Sequence, residues 1–304
     1  MQQRLGVHER MERVGRHVLR NIMPDQHRSF YAGLPFLVLG TRDAEAQPWA
    51  SVVTGRPGFV STPDASTLRV AGAAQRHDPL AANLALGADI GVLGIEFATR
   101  RRNRANGLVA ALGENGFDIA VRQSFGNCPK YIQARSWSLI DAAEHALGPV
   151  VHATALSAEG RALVARADTF FVASALGSLR DQPNEGIDAS HRGGKPGFVR
   201  IDDERTLTVP DFLGNSYYNT LGNLLHNPRC GLLFIDFDTG TTLQLAAEAE
   251  IVWDGAEVEA FAGAERLVRF RIRASVLVER ALPLRWHFGD YSPFLAPLGA
   301  WPAG

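Results

Sequence analysis

The stretch "GKPGFVRIDDERTLTV" (194–209) is nearly repeated from "GRPGFVSTPDASTLRV" (55–70), and this pair decides how the chain is organised. At an offset of 139 the two agree at nine of sixteen positions. At an offset of 140 the agreement resumes. Asn83-Leu84 falls on Asn223-Leu224, and "GVLGIEF" (91–97) falls on "GLLFIDF" (231–237). Gly91, Leu93, Ile95 and Phe97 each meet the same residue, and Glu96 meets Asp236. A repeat of about half the chain predicts two copies of one fold.

Within each copy, short apolar or alternating runs bounded by turn residues read as strands. The first copy offers "LPFLVLGT" (34–41), "PWASVVT" (48–54), "STLRVAG" (66–72), "DIGVLGIEF" (89–97), "RNRANGLVAAL" (102–112) and "FDIAVRQSF" (117–125). A short helix in "DPLAANLAL" (78–86), with Asp at a cap position and Pro in the first turn, separates the third strand from the fourth. The second copy repeats the order with "DTFFVASAL" (168–176), "GIDASHR" (186–192), "RTLTVPDF" (205–212), "CGLLFIDFD" (230–238), "TLQLAAEAEIVW" (242–253) and "VRFRIRASV" (268–276). Its helix is "YNTLGNLL" (218–225), ended by Asn227-Pro228, and a further helix is expected near "GAEVEAFAGAERL" (255–267). Helices do not alternate with strands, so a parallel α/β sheet is excluded, and each copy reads as a small, mainly β barrel with flanking helices.

The first ~27 residues read as a surface helix, with Val7, Met11, Val14, Val18 and Ile22 at helical spacing and Pro24 as its end. The predicted domains are residues 1–137, a helical linker over 138–167, and residues 168–304 with a C-terminal extension. Apolar residues make up 46% and charged residues 21%, with a formal net charge of −1. Such a composition recommends neither nucleic acid nor an anionic membrane as partner. No apolar run approaches the ~20 residues of a membrane span, and the charged N-terminus is unlike a signal peptide. Cys128 and Cys230 form no disulfide framework, and without CxxC no zinc site is expected. A reducing cytoplasm is the expected location.

Chemistry concentrates in three places. His191-Arg192, followed by Gly193, Gly194 and Lys195, sets cations beside a backbone that a ligand can approach closely. The alternative is a hairpin turn with solvated basic residues. "GNSYYNT" (214–220) brings Asn215, Ser216, Asn219 and Thr220 to a helix start, where free N–H groups attract phosphate. The alternative there is an ordinary cap beside two packed tyrosines. "FGNCPKYIQ" (125–133) carries Cys128 and Lys130, the latter able to reach a phosphate, while Cys128 reads as a packed turn residue rather than a reactive thiol. Arg100, Arg102 and Arg104 of "RRRNR" share one strand face, by default a solvated one. Trp286-His287 is a further candidate for covering a ligand ring. No GxGxxG, Walker, GxSxG or HExxH motif occurs.

The block "DASHRGGKPGFVRI…LTVPDFLGNSYYNTLGNLLHNPRCGLLFIDFDTG", together with "FGNCPKYIQ", resembles the flavin-binding split-barrel proteins related to pyridoxamine 5′-phosphate oxidase, in a two-barrel bacterial branch. The resemblance runs from about residue 24 onward and implies tandem split barrels and FMN as cofactor. It also implies a phosphate cluster at the start of the second copy's helix. Asn and Thr stand where the family has Arg and Lys, so the charge is expected from elsewhere, Arg192 foremost. Ser190, which matches Ser51 of the first copy, joins this expected cofactor set. In the first copy Val52-Val53 replace His191-Arg192, and "AGAAQRHDPL" (71–80) keeps only Arg76 and His77 as basic character. One FMN per chain is therefore expected, between barrels of one chain or of two chains paired as a homodimer. The implied activity is two-electron or hydride transfer on a small molecule. The other reading is a flavin- or haem-binding module without turnover.

Overall fold

The computed structural model describes residues 1–72, 74–141 and 144–302. Two helices open the chain, α1 (His8–Val18) and α2 (Asp25–Ala32). The first half continues with β1 (Phe36–Arg42), β2 (Pro48–Thr54), β3 (Val60–Asp64), β4 (Thr67–Ala71), α3 (Leu80–Asn83), β5 (Asp89–Glu96), β6 (Arg101–Gly113) and β7 (Gly116–Asn127). β8 (Arg135–Leu139), β9 (Val150–Ala153) and α4 (Ala158–Arg166) follow. The second half contains β10 (Thr169–Leu176), β11 (Gly186–Gly193), β12 (Arg200–Ile201), β13 (Thr206–Phe212), α5 (Asn219–His226), β14 (Arg229–Ile235), β15 (Thr242–Val252), α6 (Ala256–Glu259), β16 (Ala264–Val278) and β17 (Leu284–Phe288).

The two halves share one topology. The first sheet runs β2-β1-β5-β6-β7-β4-β3 and the second β11-β10-β14-β15-β16-β13-β12, so every strand of the first has its counterpart in the second, which β9 joins in addition beside β16. The described pairings within both sheets are antiparallel. Each sheet encloses its own core, Leu37, Leu39, Ile90, Val92 and Ile119 in the first, Phe170, Val172, Leu232, Phe234 and Leu245 in the second. A third cluster lies between the halves. There Phe36, Val38, Leu93 and Ile95 meet Phe171, Ala173, Ile187, Ala189 and Leu233. Alternate residues of β1 and β10 therefore serve the inner and the shared core, which is why both strands are buried along almost their whole length.

The repeated glycines explain how closely the halves approach. A Cβ on Gly91 would lie 2.5 Å from the Ile187 carbonyl oxygen, and one on its counterpart Gly231 would lie 2.6 Å from that of Pro48. Each sheet thus admits the other's first hairpin at a position where any side chain would collide.

Three expectations need correction. Pro24 does not end an N-terminal helix: α1 stops at Val18, and Pro24 precedes α2, where its fixed φ suits a helix start. Met11 and Met23 are buried, but Ile22 of the expected stripe is exposed. The side chain of Val14 lies outside the described residues. The segment 138–167 is helical only over Ala158–Arg166, where Ser157 accepts the Gly160 N–H. Its middle forms β9, which pairs with β16, while β8 pairs with β17 of the C-terminal extension. Residues 142 and 143 of that expected linker lie outside the described ones. The helix expected over 255–267 shrinks to the four residues of α6, because β16 already begins at Ala264.

Candidate functional site

A cleft with an empty volume of about 850 Å³, including space open to solvent, lies between the halves. From the second half come the end of β11, the end of β13, and the loop leading into α5. From the first half come β6 and the segment after β7. Ser190, His191, Arg192, Gly193, Asn215, Ser216, Asn219, Thr220, Cys128 and Lys130 all line it, so three stretches that are distant in sequence converge. Lys195 does not, because it sits exposed at the tip of the hairpin after β11. Trp286 is buried in the core between the halves, away from this cleft, so it covers no ligand there.

Gly193 makes the convergence possible. A Cβ there would lie 2.0 Å from the Tyr131 carbonyl oxygen, so only glycine lets β11 run against the 125–133 segment. Tyr131 is itself left-handed, at φ 66°, and donates its hydroxyl to the Leu213 carbonyl at 2.9 Å. Ser216 (φ 64°) and Tyr218 (φ 56°) are left-handed too. Such backbone is costly for non-glycine residues and collects at binding sites. The N-terminal segment braces this loop, with Gln2 donating to the Tyr217 carbonyl at 3.0 Å and Arg10 to Ser216 Oγ at 3.3 Å.

The cations are arranged differently from expectation. Arg192 pairs with Asp211 at 2.6 Å, and buried Arg266 shares that carboxylate at 2.7 Å. Arg104, buried, bonds Ser190 Oγ and reaches Asp188 at 3.4 Å. Arg102 donates to the Cys128 carbonyl at 2.8 Å and reaches His191 at 3.4 Å, but among the described residues it has no carboxylate partner. Burial, together with the neighbouring Arg104, lowers its pKa to about 9. The default reading of "RRRNR" as a solvated face is thus wrong for Arg102 and Arg104. Arg100, at φ 56°, instead leaves the strand and pairs with Asp290 at 2.8 Å. Strand alternation put the arginines on one face, and only the partner sheet shows that this face closes a cleft.

His191 is buried against Phe171, and burial, Arg102, Arg135 and Arg192 hold its pKa well below 6.5. Its Nδ1 faces an Arg102 N–H, so the tautomer with the proton on Nε2 follows. Among the described residues that Nε2 has no partner, and neither do Arg104 Nε, Asn127 Nδ2 and Tyr217 Oη. All four residues line the cleft and all four atoms can donate. Unpaired buried donors cost about 1–3 kcal/mol each, so the cleft suits an acceptor-rich ligand.

The corresponding place in the first half is chemically opposite. Ser51, the counterpart of Ser190, donates to Asp78 at 2.5 Å, and Gln244, the counterpart of Arg104, reaches both Ser51 (3.1 Å) and Asp78 (3.2 Å). The adjoining pocket is lined by neither Arg76 nor His77, so the basic character expected there is absent from it. Cys128 and Cys230 are both free thiols; Cys230 is buried, and burial pushes its pKa far up. Among the described residues no cluster of three or more metal-binding side chains occurs, and no helix is long and apolar enough to cross a membrane.

Residues 156–285 match the family model described as pyridoxamine 5′-phosphate oxidase. The match spans α4 and β10 to β16 of the second half. No curated protein matches the sequence. Similar solved structures include HupZ of Group A Streptococcus, at 15% identity over 39% of this chain and 90% of that one, with a TM-score of 0.30. A Clostridium acetobutylicum protein of the pyridoxinephosphate oxidase family is 14% identical over 43% of this chain and 92% of its own, with a TM-score of 0.28. An FAD-binding protein from Mesorhizobium loti is 12% identical over 43% and 97%, also at 0.28.

Proposed function

We propose that the chain is an FMN-binding oxidoreductase in which the cleft between its two halves holds one flavin. The observation that carries this reading is Arg102, a largely enclosed guanidinium that has no carboxylate partner among the described residues, in a cleft whose lining residues carry four donors unpartnered among them. A buried charge needs compensation, and a phosphate supplies it with acceptors to spare. Arg102, Arg104, Ser190 and Thr220 with the free N–H groups at the start of α5 would hold the phosphate. Arg192 would be a secondary contributor, since Asp211 already engages it. The donors of Asn127, His191 and Tyr217 would meet the remaining acceptors. Bound there, the flavin would supply two-electron or hydride transfer, while the chain binds, orients and shields it. Both walls come from one chain, so a homodimer is not needed to complete the site. The two similar halves read as a duplicated, fused pair of which one kept the phosphate chemistry, with Asp78 and Gln244 occupying the other place.

Haem is the second reading, favoured by the unpartnered His191 nitrogen in the cleft. Iron ligation would require that nitrogen to lose its proton, against the tautomer set by Arg102. Absorbance and native mass spectrometry of the protein titrated with each cofactor separate the two. The flavin reading expects saturable FMN uptake at about one per chain, with two bands in the near-ultraviolet and blue. An intense Soret band with no flavin affinity would replace it by the haem reading.

A further inference from the structure

A second cavity lies apart from the cleft, where β8, β17, the end of α4 and the turn after β14 meet. Its empty volume is about 540 Å³, including space open to solvent, and none of its lining residues lines the first. Three of its lining residues each carry a buried polar atom without a partner among the described residues: Arg135 Nη1, Asp168 Oδ1 and Trp286 Nε1. All three residues are more than nine-tenths buried. Arg135 and Asp168 pair through a single contact, Nη2 to Oδ2 at 2.5 Å, which leaves the other nitrogen and the other oxygen free. The Arg135 guanidinium is held over the Phe237 ring at 4.2 Å, so its orientation is set by stacking as well as by the ion pair. Trp286 is wedged between Phe36 and Phe237 at 5.4 and 5.2 Å.

Two donors, one acceptor and aromatic walls describe the complement of a ligand edge. The ligand must accept from Arg135 and Trp286 and donate to Asp168. Its charge is limited by the lining, where Arg135 and Arg166 face the three carboxylates of Asp168, Asp236 and Asp238. An anion is disfavoured there. Flat rings suit the walls formed by Phe237, Phe288 and Trp286. We propose that this cavity is a second small-molecule site, selective for a neutral aromatic amide whose carbonyl meets Arg135 and Trp286 and whose N–H meets Asp168. It stands whatever occupies the first cleft.

The test uses the full chain, labelled with ¹⁵N at tryptophan, in the presence of excess FMN. Nicotinamide is titrated as the neutral amide and nicotinate as its anionic counterpart, with the indole N–H resonances as readout. Trp286→Phe assigns the Trp286 signal and keeps an aromatic ring in place. The expected result is a saturable shift of the Trp286 resonance with nicotinamide, at least ten-fold weaker binding of nicotinate, and a three- to ten-fold loss of nicotinamide affinity in Trp286→Phe, followed by ligand-observed NMR. A Trp286 resonance that does not move overturns the proposal, as does nicotinate binding equally well. A shift abolished by FMN would place the amide in the first cleft and also overturns it. Should Trp286→Phe not fold, Phe replacements of Trp49, Trp137, Trp253 and Trp301 assign the remaining resonance by elimination, and that resonance with the amide-to-acid ratio still decides.

Discussion

Replacing Arg102 with methionine separates a ligand-directed charge from a structural one. Methionine keeps an unbranched chain of similar reach and removes the guanidinium. In the ligand-free protein that guanidinium is charged against its surroundings, its pKa lowered to about 9 by burial and by Arg104. A group whose pKa is depressed by folding gives stability that is present above its unfolded value and lost as pH falls through the folded one. At neutral pH the ligand-free fold therefore carries the whole unfavourable contribution, at about 1.4 kcal/mol per pH unit of displacement. Arg102→Met should leave the ligand-free protein at least as stable as wild type, despite losing the bond to the Cys128 carbonyl. FMN binding should move the other way. Losing a charge-assisted contact to phosphate costs roughly 1.5–3 kcal/mol, about ten- to a hundred-fold in Kd. Riboflavin has no phosphate and should lose about two-fold or less by the same reasoning. Fluorescence titration of both ligands, with thermal unfolding of the ligand-free variant, reads all three quantities. Equal losses for FMN and riboflavin, or a ligand-free variant several degrees less stable, would refute the role given to Arg102.

Arg192→Ala should weaken FMN less than Arg102→Met does, because Asp211 retains Arg266 and already engages Arg192; a larger loss in the same titration would return the phosphate to Arg192. His191 is buried neutral with its pKa held well below 6.5, chiefly by burial. Its unfolded form gains a proton first, so its contribution to stability is intact above pH 6.5 and lost as pH falls below it. Urea midpoints at pH 7.5 and 5 should therefore differ less in His191→Asn than in wild type, and an equal difference would contradict this. Gly193→Ala should cost about 1–3 kcal/mol through collision with the Tyr131 carbonyl and should weaken FMN; unchanged unfolding curves would show that the two segments separate freely.

The repeat made the architecture readable, because Gly91, Leu93 and Ile95 recur as Gly231, Leu233 and Ile235 in strands of equivalent position, with Phe97 and Phe237 just beyond their ends. Turn residues and strand periodicity placed most strands near their observed ends. The segment 138–167 misled because its small residues are helix formers by propensity, whereas pairing with β16 holds Val150–Ala153 extended. Local preference lost there to a long-range partner. In the cleft, His191 and the loop before α5 were visible as unusual polar clusters. Arg102 was not, because alternation along β6 says which residues share a face and nothing about what faces them. The pairing of Arg192 with Asp211 was hidden for the same reason, since β11 and β13 are not neighbours in the sheet.

A crystal structure of the full chain with FMN tests the central claim most directly. The account predicts one flavin in the cleft between the halves, its phosphate against Arg102, Arg104, Ser190 and the start of α5. Phosphate contacts made mainly by residues 51–80, or a flavin held outside the cleft, would contradict it.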